Sequence, residues 1–459
     1  MSINKCVNSD FYWKLYRKNL HNKSIPFIIS FAKTTDKKDA DKMNKSYLKQ
    51  MLTYFSKVYH LGEKINTLKD KKVKSPVKVS TITFVVLFGF MLQIRSFNRL
   101  EHWLKKDKFK KVLPKKTKMP RIDAVRRCLS DFDLDGLKEI LKHIIKTTVK
   151  NKVFRNGTID SLKVVAIDGV ELFESTKKCC DKCLTRVDKN GLTHYFHRSV
   201  ICATVGSDHH LILGQEMLEP KQDGSDKDEG EITGGKRLIR RLYKEYHHFA
   251  DIIVADALYC KSTWIKEVLS LGMNAVVRVK DDRLHIVKDA LALFKCREAN
   301  KEWIVHKGSK KYVQIKAWDE GNFEMADSEV KVRFIKFIEE VHTGDKVQFK
   351  EAWIITTDKF TSVETLWKIM HKRWDIENNV FHQLKTEWHL DHCFLHSPTG
   401  VETVVMFLIL AFNLMQLYFF RCIRSFRKKR MLQIDIVEDI RDERFTIEYD
   451  WINPLFVKT

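Results

Sequence analysis

The sequence predicts an α/β protein: a mixed sheet flanked by helices, entered through a helical amino-terminal region and carrying a β-rich insertion. Three observations predict it. Short β-branched runs at 164–167 and 251–255 read as strands buried on both faces. Segments with apolar residues at helical spacing separate them. Residues 297–350 alternate polar and apolar side chains, the period of a half-exposed antiparallel sheet.

Residues 1–78 hold 18 Lys and Arg against 6 Asp and Glu, with helical patches such as 43–60. Residues 79–160 read as helical, from Leu87, Met91 and Ile94 and then Leu134, Leu137, Leu141 and Ile144, with Asp133 as a helix cap. The pattern changes at Lys163. The run 164–167 ends in Asp168-Gly169, and 199–205 and 210–216 read as the next strands. Leu238, Leu242 and Tyr246 mark a helix over 234–248. A strand over 251–255 ends at Asp256, and a helix at 262–271 and a strand at 275–279 come after it. In the insertion, Trp303, Val305, Val330, Val332 and Phe334 alternate with charged residues. Residues 352–356 return to a buried strand, and 361–385 form one long helix that contains Glu377. The expected divisions are a basic amino-terminal region (1–78), a helical region (79–160), two parts of a core (161–296 and 351–395) around the insertion (297–350), and a helical carboxyl-terminal region (396–459).

The formal net charge of +24 on 459 residues calls for a polyanionic partner, nucleic acid ahead of an anionic membrane. Residues 1–78 are the strongest landing surface, which makes them the expected DNA-binding region. Residues 99–121, with 10 basic against 2 acidic side chains, extend it. No membrane contact is expected. The apolar run 82–94 is shorter than the roughly 20 residues a bilayer requires. Asn413 and Gln416 interrupt the run 401–420 and Arg421 comes directly after it, so both runs are expected as buried helices. Residues 1–20 carry Asp10, Lys14 and Arg17 without an apolar leader. The chain is therefore expected in the cytoplasm, with its 10 cysteines reduced.

Asp168 and Asp256 each end an expected buried strand, where side chains of such sheets enter a crevice. Glu377 lies on the helix after the insertion, which can pack across the same edge. Three carboxylates converging from distant segments suit hard cations with oxygen ligands. For either Asp alone, a strand-end turn residue is the simpler reading; the flanking sequence decides. Three blocks, VVAIDGVELFES around Asp168, DIIVADALYCKSTWI around Asp256 and KRWDIENNVFHQLK around Glu377, resemble the DDE transposases of insertion sequences, in the branch named after insertion sequence four. The resemblance covers about residues 80–420. It implies an RNase H-like catalytic core with a β-rich insertion between the second Asp and the Glu. It also implies Asp168, Asp256 and Glu377 as ligands of two Mg²⁺ or Mn²⁺ ions. In that family the third block usually reads Tyr, two residues, Arg, three residues, Glu, six residues, Lys. Here Arg373 keeps its place, Met370 stands at the Tyr, and Lys385 comes one residue late, with Leu384 in its position. On an ideal helix Lys385 would lie about 80° from Glu377. Either the helix bulges locally or Lys385 has another role. By the same analogy Arg373 and Lys385 grip phosphates at the transposon end.

Cys180 and Cys183, with His194 and His197, approach zinc-ligand spacing. The segment reads either as a structural zinc staple or as a surface loop with free thiols. Trp303, Trp318 and Trp353 fall in or beside the insertion, where an aromatic of related transposases receives a flipped base. Each also fits the core, as do Trp374 and Trp388. Residues 223–235 read as a solvated acidic loop before the helix at 236, with Glu229 or Glu231 joining the active site as the second reading.

The function implied is cut-and-paste DNA transposition: metal-dependent hydrolysis at terminal inverted repeats, then joining of the 3′-hydroxyl to target DNA. A homodimer assembled on DNA, in the nucleoid of a prokaryotic cell, is implied with it. The competing readings are a nuclease or resolvase on the same core without strand transfer, and an inactive DNA-binding protein derived from a transposase.

Overall fold

The computed structural model describes residues 46–69, 71, 76–221, 227–308, 311–325, 328–443 and 452–456. Most of the basic amino-terminal region therefore lies outside the described residues. Among the described residues ten strands form one sheet: β1 (Val164–Ser175), β2 (Leu184–Val187), β3 (Thr193–Thr204), β4 (Ile212–Met217), β5 (Ile252–Ala255), β6 (Asn274–Val279), β7 (Lys301–His306), β8 (Lys311–Glu324), β9 (Lys331–Thr343) and β10 (Lys346–Thr356). Their order is β2-β3-β1-β5-β6-β10-β9-β8-β7, and β4 also pairs with β3. β2 takes residues 193–196 of β3 and β4 takes 199–203, so the two share one edge of that strand. β1, β5 and β6 run parallel, and the remaining pairs are antiparallel. Helices Glu231–Tyr246 and Ser262–Ser270 supply the crossovers on either side of β5. The expected order of three strands, helix, strand, helix and strand is found in β1, β3, β4, the first helix, β5, the second helix and β6, with the short β2 added between β1 and β3.

Two expected boundaries move. β1 does not stop at Asp168 but continues to Ser175, because Val170 and Leu172 are buried in alternation with less buried neighbours and the backbone stays paired to β3. Only its pairing with β5 stops there. The insertion is not a separate layer either. β10 stays paired with β9 along its whole length to Thr356, and over Trp353–Thr356 its other edge pairs antiparallel with β6. The insertion thereby extends the core sheet.

The other layer is helical. Asp133 caps the helix Leu134–Lys150 as expected, accepting from the Gly136 amide at 3.1 Å. The helix Pro398–Cys422 is buried along nearly its whole length against β4 and the helices Val79–Met91, Ile122–Ser130 and Leu134–Lys150. Among the described residues it is the one helix long and apolar enough to cross a membrane, yet 94% of its apolar window is enclosed by this chain. Its polar interruptions have internal partners. The Asn413 amide accepts from the Ile212 N–H at 2.9 Å and donates to the Ile212 carbonyl at 2.8 Å, closing the exposed edge of β4.

Candidate active site

The pairing of β1 with β5 ends at Ile167 and Ala255. The next residue on each strand is Asp168 and Asp256. Side chains in register on neighbouring parallel strands leave the sheet on the same face, so the two carboxyls emerge side by side where the strands part. Asp256 also caps a short 3₁₀ turn, Ala257–Tyr259, its Oδ1 accepting from the Leu258 amide at 2.9 Å. Asp168 Oδ1 accepts from the Gly169 amide at 2.9 Å.

Glu377 arrives from the other side of the crevice, joined to this pair by Arg373. The Arg373 guanidinium Nη1 lies 2.7 Å from Glu377 Oε1 and 3.8 Å from Asp168 Oδ2. At 3% exposed, Arg373 is placed among the carboxylates. It stacks at 4.7 Å over Trp374, which is 39% exposed and not in the core as expected; Trp388 is fully buried. The helix is not continuous. An α-helix over Val363–Lys372 passes through an irregular turn into a π-helix over Ile376–Phe381 and then an α-helical turn over His382–Thr386. The His382 amide bonds to the Glu377 carbonyl, the i→i−5 signature of a π turn. A π turn absorbs one extra residue. Lys385, eight residues on, thus takes the angular position of a seventh residue, within about 20° of Glu377. The bulge alternative is the correct one, and the late Lys385 is brought back to the face of Glu377.

A fourth carboxylate joins them. Glu231, expected in a solvated loop, opens the helix Glu231–Tyr246 and has a side chain only 4% exposed. Its Oε1 accepts from the Gly169 amide at 3.1 Å and its Oε2 pairs with Arg198 at 2.9 Å. A Cβ on Gly169 would stand 2.1 Å from Glu231 Oε2, so a side chain there would displace the Glu231 carboxylate. The sequence does hold a signal for it: a Glu at the first turn of a helix that crosses behind the Asp168 strand.

Burial pushes the Asp168 carboxyl up to about 7, and Glu231, Glu377 and Asp256 add to the effect while Arg373 opposes it. Glu231 is raised as well, by burial above all, with Arg198 opposing. Four carboxylates thus share a crevice with too little positive charge to ionise them all. The donors are hard oxygens, which fits divalent cations such as Mg²⁺ or Mn²⁺. Asp168, Asp256 and Glu377 are the residues available to hold such ions, with Glu231 behind them.

The cysteine–histidine cluster forms with one exchange. Cys180, Cys183 and His197 gather with His396, their ligand atoms all within 4.8 Å of one another. His194 is not among them; its ring faces Glu174 and Asp188. The reason is strand parity: both histidines lie on β3, and residues three apart on a strand point to opposite faces. Burial pushes the His197 ring down to about 4 and the Cys183 thiol up to about 12.

The tryptophans of the insertion are packed. Trp303 stands edge-on to Phe337 and Trp367, the Trp318 N–H donates to the Arg297 carbonyl at 3.0 Å, and the Trp353 N–H donates to Glu351 at 2.6 Å. Phe349 on β10 and Phe360 before the Glu377 helix, by contrast, are 71% and 96% exposed.

A family model described as a transposase DDE domain matches residues 187–414, which include Asp256 and Glu377; Asp168 lies upstream of the match. No curated protein matches the chain. Among solved structures, a cryo-EM structure of the piggyBac transposase synaptic complex with hairpin DNA is similar at 11% identity. It covers 87% of this chain and 78% of that one, with a TM-score of 0.39. A crystal structure of the NurA nuclease from Sulfolobus solfataricus is similar at 13% identity, covering 52% of this chain and 84% of that one, with a TM-score of 0.22.

Proposed function

We propose that the chain, whose residues 187–414 match a family model described as a transposase DDE domain, is a cut-and-paste DNA transposase with its active site built on Asp168, Asp256 and Glu377. The observation that carries the reading is the register of β1 and β5, which delivers Asp168 and Asp256 together, with Arg373 bridging to Glu377.

Asp168, Asp256 and Glu377 would hold divalent cations, two per site, which when bound would supply Lewis acidity at the scissile phosphate and activate a water or 3′-hydroxyl. The chain's own residues prepare for them. Arg373 keeps Glu377 in place and offsets carboxylate repulsion. Glu231, by fixing the Gly169 amide, sets the backbone that orients Asp168. Lys385, on the face of Glu377, meets the DNA backbone. The exposed Lys105, Lys106, Lys115, Lys116, Lys118 and Arg121 add phosphate contacts outside the crevice. Handling two transposon ends requires two active sites, hence a dimer on terminal inverted repeats. DNA affinity falls steeply with salt, since each phosphate neutralised releases counterions.

The test uses the purified chain, Mg²⁺ or Mn²⁺ and end-containing DNA. Asp168→Ala, Asp256→Ala and Glu377→Ala are each expected to reduce strand cleavage by at least about a thousandfold, some 4 kcal/mol of barrier, with DNA binding retained. Precleaved ends with a free 3′-hydroxyl are expected to join target DNA. Near wild-type cleavage by any of the three variants overturns the site assignment. Cleavage without joining assigns a nuclease instead.

A further inference from the structure

We propose that Cys180, Cys183, His197 and His396 bind one structural Zn²⁺ that pins the connection between β1 and β2 to the segment leading from the Glu377 helix into the buried helix Pro398–Cys422. Tetrahedral zinc takes thiolate sulfur at about 2.3 Å and imidazole nitrogen at about 2.0–2.1 Å, so its ligand atoms stand about 3.8 Å apart for two sulfurs and about 3.6 Å for sulfur and nitrogen. The two Sγ atoms are 3.8 Å apart. The sulfur–nitrogen edges are 3.5 Å from Cys180 to His197, 3.4 Å from Cys183 to His197 and 3.3 Å from Cys183 to His396, each to Nε2. The two sulfurs are free thiols, far from bonding distance.

The surroundings suit a built site. Cys183 and His197 are buried, and the Phe173 ring packs against both imidazoles, holding their planes. The Cys183 sulfur accepts from the Cys180 amide at 3.3 Å, tightening the Cys-x2-Cys turn. Two sulfurs and two imidazoles select zinc over the hard cations of the carboxylate crevice. The two centres are distinct: His197 lies four residues along β3 from Ile201, the partner of Asp168, about 13 Å at strand rise. The staple has mechanical sense, because 176–183 is a loop without regular structure that must hold the far end of β1, while His396 stands two residues before the buried helix.

The experiment is elemental analysis of the full chain purified without added metal, together with Cys183→Ser, His396→Ala, His194→Ala and Cys393→Ser. One zinc per chain is expected in the wild type, His194→Ala and Cys393→Ser, and substoichiometric zinc in Cys183→Ser and His396→Ala. Since the ligand variants can misfold, the intact wild type is also exchanged with Co²⁺. Intense visible bands of tetrahedral cobalt with thiolate charge transfer are expected. A folded wild type with neither zinc nor such a cobalt spectrum overturns the proposal. So does His396→Ala keeping its zinc while His194→Ala loses it.

Discussion

Asp168 concentrates the chemistry of the crevice in one ionisation. Its carboxyl is raised to about 7 by burial and by Glu231 and Glu377. The sign comes from linkage. A carboxyl that binds its proton more tightly folded than unfolded contributes stability that is complete below the ordinary carboxylate range and lost as pH rises through the folded value. In the metal-free chain Asp168→Asn removes that loss. Thermal unfolding in chelator is expected to show a variant advantage that grows from about pH 4 to about pH 7 and stays constant above. Added Mn²⁺ at pH 8 is expected to raise the wild-type melting temperature and leave the variant unmoved. A pH-independent difference would show that Asp168 ionises freely. At this scale the sequence is informative where a motif carries the residue and weak where parity or crossing geometry does. Asp168, Asp256 and Glu377 stand in recognisable blocks. A short gap on β3 makes His194 look like the partner of His197, although strand alternation separates the two. His396 lies 199 residues beyond His197, and no local spacing announces it. Glu231 is hidden in an acidic, glycine-rich stretch whose composition resembles a loop.

The helix that carries Glu377 shows how an element can be legible in composition and hidden in form. Its apolar spacing predicts one helix; the single trace of the irregularity is Lys385 falling one residue late. The π turn over Ile376–Phe381 absorbs that residue, and beyond it Leu384 and Trp388 still reach the core. A residue removed from the turn should convert it to regular α-helix without rotating the residues on its carboxyl-terminal side. Deleting the exposed Asn378 is therefore expected to give a folded protein with a melting temperature near wild type. Deleting Lys368 from the regular helix Val363–Lys372 should rotate one end by about 100° relative to the other and unfold the chain or lower its melting temperature sharply. Equal losses in the two deletions would mean that the π turn is not a one-residue insertion. The β-rich insertion behaves in a related way. Its alternation is readable, but its continuity with the core is not, because β10 changes from exposed to buried midway along one unbroken strand.

At the scale of the whole molecule, the helix Pro398–Cys422 joins the helical layer to the sheet, and its shortest polar contacts with the sheet, among the described residues, are those of Asn413 with Ile212. In the sequence Asn413 argues against a membrane span; the structure supplies the physical reason for its presence. β4 is an edge strand, and Ile212 N–H and C=O face the buried helix where water does not reach. A leucine of similar volume would keep the packing and leave two buried backbone groups unpaired, each costing about 1–3 kcal/mol. Asn413→Leu is therefore expected to lower stability by about 2–6 kcal/mol in denaturant titration, with the slope unchanged because the same surface is exposed on unfolding. A helix that met lipid instead would respond in the opposite direction, since leucine is favoured over asparagine in hydrocarbon. A neutral or stabilising result in aqueous buffer would thus remove the proposed bond between the two layers. A loss accompanied by a reduced slope would place the defect in local fraying of β4, leaving the rest of the core intact.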